Sequence, residues 1–310
     1  MTGDTRLRRP GRALDGVLLL DKPSGISSNT ALQAAKRLLG AAKAGHGGTL
    51  DPLASGLLPL LFGEATKFAR FGLDSDKTYL ASVRLGVRTT TGDAEGEVLE
   101  RGPVDVDEAR LIAALGGFRG TIRQVPPMYS ALKRDGRPLY ELARAGRTVD
   151  RDAREVTIHE LVLTGFEGDL VRLLVRCSKG TYVRQLAEDL GAALGTVAHL
   201  EGLRRTAAGH YTLQQAVGLD RFRALDEAGR EACMLPAESL LAALPAAGLG
   251  PEESIRFIQG QAVGAGAVPP GACRVLGAEG TLLGVGEADA DGKLRPVRLL
   301  SQRRDAGATG

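Results

Sequence analysis

The residues best equipped for chemistry lie between Gly45 and Gly56, in the run Gly-His-Gly-Gly-Thr-Leu-Asp-Pro-Leu-Ala-Ser-Gly. Gly45, Gly47, Gly48 and Gly56 free the backbone to take positive φ angles and let a ligand approach closely. Asp51 precedes a proline, which pushes it toward extended geometry on a loop or at a strand end. A carboxylate on such a loop is well placed to touch something large. As the nucleophile of a sugar- or nucleotide-hydrolysing enzyme it would need a second acid, and the chain offers no obvious one. The other reading is a turn in which Asp51 caps the apolar run from Leu57 to Phe62. Taken by themselves, these residues favour the turn.

The flanking segments supply the frame for that loop. Gly16 to Asp21 reads as a short buried strand that ends in the turn Lys22-Pro23-Ser24-Gly25. Ser27, Ser28 or Asn29 can cap a helix running to Leu39, with Leu32, Ala35, Leu38 and Leu39 as its apolar face and Gly40 as its stop. Lys36, Arg37 and Lys43 fall outside that face, either as a solvated surface or as phosphate contacts. Leu57 to Phe71 is apolar and helical or extended. Period-two alternation then puts Tyr79, Ala81, Val83 and Leu85 on one face of a strand. Tyr79 there serves as core or as a platform for a base. Residues 89–97 read as an exposed turn.

Residues 124–155 read as a basic insertion, with Lys133, Arg134, Arg137, Arg144, Arg147, Arg151 and Arg154 against five acidic residues in 131–155. Pro138 can open a short helix there that Gly146 ends. Val171 to Cys177 alternates as a strand, and a helix starting near Thr181 carries Tyr182, Leu186, Leu190 and Leu194 at apolar spacing. Arg184 falls in its first turn, where the helix dipole disfavours a cation. That placement suggests an anionic partner, although a surface arginine is the ordinary outcome. Residues 241–250 look like a small-residue linker. Beyond them come a short helix near Glu252–Phe257 and three strands, at 273–276, 281–286 and 294–300, which suit a small β-barrel module.

A chain of 310 residues has length for about two domains and a large core. Its apolar runs are far short of a membrane span. Residues 1–14 are arginine-rich with no apolar centre, unlike a signal peptide, and read as a disordered tail. Three widely spaced cysteines (Cys177, Cys233, Cys273) argue against a disulfide framework or zinc site, and for a reducing, cytoplasmic setting. The net charge of +3 neither supports nor excludes RNA, since residues 245–310 balance at seven basic and seven acidic side chains and the excess lies before them.

Five blocks, in order, resemble the bacterial tRNA pseudouridine-55 synthases of the TruB family. They are Leu20 to Gly25, Gly45 to Pro59 with Gly63 to Lys67, Asp74 to Tyr79, Pro127 to Lys133, and Cys177 to Arg184. The resemblance spans roughly residues 16–210. It implies an α+β pseudouridine synthase fold with a mixed, largely antiparallel central sheet and flanking helices, followed by a small PUA-type β-barrel-like RNA-binding domain. The organisation it implies is a tail at 1–14, a catalytic domain at 15–243 with a thumb insertion at about 124–155, a PUA-like domain at 244–302 and a tail at 303–310.

By the same resemblance, Asp51 is the nucleophile, Arg184 the arginine paired with it, and Tyr79 the tyrosine that stacks on the target base and is a candidate general base. His46, Tyr182, Leu203 and Lys22 become substrate-binding positions, with His46 holding a flipped-out nucleotide and Tyr182 and Leu203 lining the uracil pocket. Gly47 departs from the pattern, since many members carry threonine there. The implied reaction isomerises uridine 55 in the T loop of tRNA. It requires no cofactor and no metal, its partner is the T stem-loop, and nothing demands more than a monomer. Two alternatives share the fold: a tRNA-binding folding chaperone and a guide-dependent synthase. Intact Asp51, Tyr79 and Arg184 argue against the first, and the basic insertion against the second.

Overall fold

The computed structural model describes residues 11–130, 132–134, 136–264 and 266–301. The arginines at 6, 8 and 9 of the expected N-terminal tail and the tail at 303–310 lie outside them. Residues 11–14 are not tail-like. Arg12 bridges to Ala41, pairs with Glu227 and Glu231, and leads into Leu14, which packs on the main core.

An eleven-stranded mixed sheet organises the chain. Its main path runs Val217–Gly218, Gly16–Lys22, Ser55–Phe62, Ala198–Ala208, Lys77–Leu85, Leu170–Cys177, Arg154–Glu167 and Gly120–Gln124. Neighbours are antiparallel except at two places, where Gly16–Lys22 meets Val217–Gly218 and where Ser55–Phe62 meets Ala198–Ala208. The second parallel junction matters most, because Ser55 and Gly56, just after the glycine loop, register with Arg204 and Arg205.

Alternation decides which side chains face the core. Tyr79, Ala81, Val83 and Leu85 point inward with Val171, Leu173 and Val175 of the next strand, while Leu80 is left exposed. Against this face pack the helices Ser28–Leu38 and Val183–Ala193, the latter through Val183, Leu186, Ala187 and Leu190. Ser27 caps the first helix by accepting from the Thr30 amide at 3.0 Å. The strands Gly16–Lys22 and Ser55–Phe62 are buried on both faces. Their other side, with Val17, Leu19, Leu57 and Leu61, meets Phe68, Leu241, Leu282 and Val285.

The C-terminal part forms its own five-stranded sheet, ordered Ala246–Gly248, Gly271–Leu276, Leu282–Ala288, Lys293–Leu299 and Val263–Gly264, with the helix Pro251–Ile258 beside it. Two expectations are corrected here. The stretch read as a linker holds a strand whose Ala247 is fully buried and whose neighbour Leu249 enters the same core, because small residues fit between closely spaced strands. Residues 89–97 are not simply an exposed turn, since Thr89, Gly92 and Asp93 are buried and the Ala94 amide bonds the Leu200 carbonyl.

Candidate active site

The glycine loop leaves the short strand Ala44–His46, passes through Asp51 and enters Ser55–Phe62. Three sets of bonds fix it. Ser28 both accepts from the Leu50 amide (2.7 Å) and donates to the Leu50 carbonyl (2.8 Å). The Gly25 amide donates to the Pro52 carbonyl at 2.8 Å. The third set comes from below, from Arg205. The residue is 1% exposed, and its guanidinium donates to the carbonyls of Leu57 (2.7 Å), Gly48 (3.2 Å) and Thr49 (3.5 Å). Gly56 is required at this junction, since its φ is +99° and a Cβ there would meet the Arg205 carbonyl oxygen at 2.3 Å. Gly47, by contrast, has ordinary van der Waals room for a side chain against Pro59 and Gly72.

Asp51 and Arg184 are brought together. Nη2 of Arg184 lies 3.0 Å from Oδ2 of Asp51, with Arg184 side-chain exposure 6% and Asp51 41%. The arginine is thus sunk in protein while the carboxylate stays partly open to solvent. Arg184 also donates to the carbonyls of Thr91 (2.9 Å) and Tyr129 (2.6 Å), and its Nε lies 3.7 Å from the buried carboxylate of Asp93. Burial of the Asp51 carboxyl is the largest influence on it, and this raises its pKa above the ordinary value. Arg184 and Lys22 oppose that rise, and Asp93 adds to it. The ion pair therefore lowers the pKa against desolvation without reversing the net rise.

The remaining expected positions divide into two groups. Tyr79 sits opposite Arg205 across the paired strands, and Leu203 opposite Ala81. Burial raises the Tyr79 phenol further above its ordinary value, so the neutral hydroxyl is the resting form. His46 is kept neutral by burial and by Arg205, and its Nδ1 is a buried nitrogen without a hydrogen-bond partner among the described residues. Tyr182 stands at the N-cap of the arginine-bearing helix, and burial raises its phenol as well.

Lys22 differs from its expected place at the substrate. It is fully buried and donates to the carbonyls of Ile26 (2.7 Å), Pro23 (2.9 Å) and Pro52 (3.5 Å). It sits beneath the loop, where its ammonium closes off backbone carbonyls. Burial lowers it to about 8, with Asp51 and Glu95 opposing and Arg205 assisting.

Lys77 is a second buried lysine of this kind, lowered to about 8 chiefly by burial and donating to the carbonyls of Gly72, Leu73 and Ser75. A lysine lowered by folding binds fewer protons than its unfolded counterpart between pH 8 and 10.5, so its penalty is present in full below that window and is relieved as pH rises through it. Relative to Lys77→Met, the wild type is expected to gain stability from pH 8 toward 10.5. Paired urea melts across that range measure it, and a pH-independent difference would remove the assignment. Both proteins carry Cys177→Ala, because the Cys177 thiol is raised to about 11, acts in the opposite direction and is coupled to Lys77.

Three buried polar residues that hold the site together escape sequence reasoning: Arg205, Asp93 and Gln124. Arg204 and Arg205 are adjacent on one strand, so alternation sends Arg204 outward to Asp21 (2.7 Å) and Arg205 inward, a signal present in the sequence once that strand is recognised. Asp93 lies inside the 89–97 turn and Gln124 ends the strand Gly120–Gln124, and nothing local marks either as buried. Beside the ion pair, a cavity of about 420 Å³ opens between residues 90–92, the 127–151 segment and the arginine-bearing helix, lined by Tyr129, Arg147, Arg151, Gln185 and Glu188 among others.

Comparison with known proteins gives matches along most of the chain. Residues 36–183 match the family described as TruB family pseudouridylate synthase (N terminal domain), 184–242 match the tRNA pseudouridylate synthase B C-terminal domain, and 245–300 match pseudouridine synthase II TruB, C-terminal. The tRNA pseudouridine synthase B of Burkholderia mallei is 56% identical over 306 residues, covering 96% of this chain and 98% of the relative. That of Aromatoleum aromaticum is 52% identical over 301 residues, covering 97% of both. Among solved structures, a Cbf5-Nop10-Gar1 complex superposes with a TM-score of 0.70 at 26% identity, covering 93% of this chain and 84% of that one. An H/ACA RNP bound to a substrate RNA containing 2'-deoxyuridine gives 0.71 at 24%, over 94% and 86%, and shows the shared fold.

Proposed function

Because the chain belongs to the TruB family and is a tRNA pseudouridine synthase, we propose that it isomerises uridine 55 in the T loop, with Asp51 as nucleophile acting on a base turned out of the stack. One observation carries this reading: a partly exposed carboxylate paired at 3.0 Å with an arginine that is itself buried and held by two further carbonyls. An arginine so fixed orients a carboxylate and keeps its charge available beside a polyanionic substrate.

The isomerisation breaks the N1–C1′ glycosidic bond, turns the uracil and forms C5–C1′, and the C5 proton is removed as N1 regains one. Electrons and atoms balance within the nucleoside, so the reaction needs no redox partner. Asp51 supplies the charge that activates the glycosidic bond. Tyr79, neutral and beside Arg205, serves as a stacking and hydrogen-bonding wall rather than a resting phenolate. His46 offers its unpartnered Nδ1 to the extruded nucleotide. Tyr182 and Leu203 bound the uracil, and Lys22 stiffens the loop from beneath. Arg147 and Arg151, lining the neighbouring cavity, face the phosphates of the stem-loop. The enzyme works as a single cytoplasmic chain in which residues 15–243 carry the chemistry and 244–302 assist RNA binding.

The test is an unmodified tRNA transcript incubated with purified protein, without guide RNA or cofactor, and pseudouridine mapped at single-nucleotide resolution. Modification at the T-loop uridine alone is expected. Tight tRNA binding without product would favour the chaperone or guide-dependent reading, and product at a different site would overturn the T-loop assignment.

A further inference from the structure

The helix that carries Arg184 begins at Tyr182 with no side-chain cap of its own and no acidic residue in its first turn. Its start is held from outside. Gln124, 2% exposed at the end of the strand Gly120–Gln124, accepts from the Tyr182 amide at 3.1 Å and donates to the Tyr182 carbonyl at 3.3 Å. Both faces of one amide are spent on one residue, which fixes the helix start in position and direction. Five residues later the same segment grips the arginine itself, through the Tyr129 carbonyl at 2.6 Å. Between the two grips lie Pro126 and Pro127, each with φ restricted by its ring, and each constraining the residue before it to extended geometry. Pro126 is buried, and its carbonyl is held by Arg151 at 2.9 Å.

We propose that residues 124–129 form a stiff positioning bracket for the catalytic pair: Gln124 fixes the helix start, Tyr129 fixes the guanidinium, and the proline pair keeps the two at a constant separation, so that Arg184 meets Asp51 in register. This rests on the reading of Arg184 and Asp51 as the catalytic pair. Gln124 is accordingly a positioning residue that acts through Arg184. A misplacement of the order of 1 Å at a reacting group costs on the order of 10²-fold in rate, so a bracket of this kind would affect turnover far more than RNA affinity.

The test compares Gln124→Met, which keeps the volume and removes both bonds, with Gln124→Glu. A carboxyl in so buried a place is readily protonated, and the protonated form has one donor and one acceptor, as the amide does. For Gln124→Met the single-turnover rate at saturating tRNA is expected to fall about 10- to 100-fold, with the tRNA dissociation constant within about threefold. For Gln124→Glu the rate relative to wild type is expected to rise as the pH is lowered from 9 to 6. Wild-type turnover by a folded Gln124→Met protein, a loss confined to affinity, or a Gln124→Glu deficit equally deep at every pH would each overturn the bracket. Should the methionine variant fail to fold, the pH response of the glutamate variant decides. Asp51→Asn assayed alongside separates the two failures. An active Asp51→Asn removes the reading of the site, whereas an inactive one beside a fully active Gln124→Met removes the bracket alone.

Discussion

Asp51→Asn is expected to bind tRNA as the wild type does and to lose at least about 10³-fold in single-turnover rate, roughly 4 kcal/mol of barrier. Asparagine keeps the shape of the side chain and a carbonyl oxygen for Arg184 but removes the charge that acts on the glycosidic bond. The fold should not suffer. Arg184 retains Asp93 and the carbonyls of Thr91 and Tyr129, and the native environment works against the Asp51 charge. The sign follows from the raised carboxyl: the native state holds its proton to higher pH than the unfolded chain, so stability falls as pH rises from the unfolded pKa toward the native one. Asp51→Asn should therefore melt at or slightly above the wild-type temperature at pH 7, as expected where an active site gives up stability for function. An active variant would end the nucleophile assignment. A variant that melts well below wild type would end the account of the site's electrostatics.

The second large effect belongs to Arg205→Met, and it is mainly one of stability. Methionine fills much of the volume but leaves the Leu57, Gly48 and Thr49 carbonyls without their donor in a site that excludes water. Hydrogen bonds from a charged donor contribute about 1.5–3 kcal/mol each. Against this, removing a buried cation relieves the repulsion that helps to lower Lys22, Lys77 and His46. A net loss of about 2–5 kcal/mol is expected, which lowers Tm by about 5–15 °C for a domain of this size. Arg205→Lys should fall between, since an ammonium is a point donor without the planar fork that reaches several carbonyls. Activity should fall with both, because the loop holding Asp51 loses its floor. Calorimetry and urea melts decide it, and a wild-type melting curve for Arg205→Met would show that the loop is held by other means.

The frame around this site was readable from residue order, whereas the residues alone favoured a plain turn at Asp51 and a surface place for Arg184, and their pairing was implied only by the family resemblance. The loop of His46 and Asp51, the alternation that turns Tyr79 inward, and the helix spacing behind Arg184 are all local patterns, and the strands at 16–22, 77–85 and 170–177 match their expected positions closely. What was not readable is what depends on a distant partner. Ala198–Ala208 carries two adjacent arginines and a glycine in place of clean apolar alternation, so its role at the sheet's centre does not announce itself, and Arg205 goes unseen with it. Asp93 sits in a threonine- and glycine-rich turn of exposed composition and is buried among partners distant in sequence, its backbone bridging Leu200 and its carboxylate 3.7 Å from Nε of Arg184. Lys22 illustrates the opposite case. A lysine in a recognisable turn suggests contact with a ligand, whereas three backbone carbonyls converge on it instead.

The parallel register of Ser55 and Gly56 with Arg204 and Arg205 also has a consequence in time. The Arg205 bond to Leu57 closes a separation of 148 residues. At a synthesis rate of about 5–20 residues per second, the glycine loop leaves the ribosome roughly 7–30 s before its floor exists. Contacts of such long range are made late and slowly, after the loop-closure entropy has been met. Until then the newborn chain carries its key carboxylate on an unanchored loop. On the reading of Asp51 as nucleophile, competence arrives with the strand inserted at the middle of the sheet, and a nascent or truncated chain ending before residue 205 should form no pseudouridine.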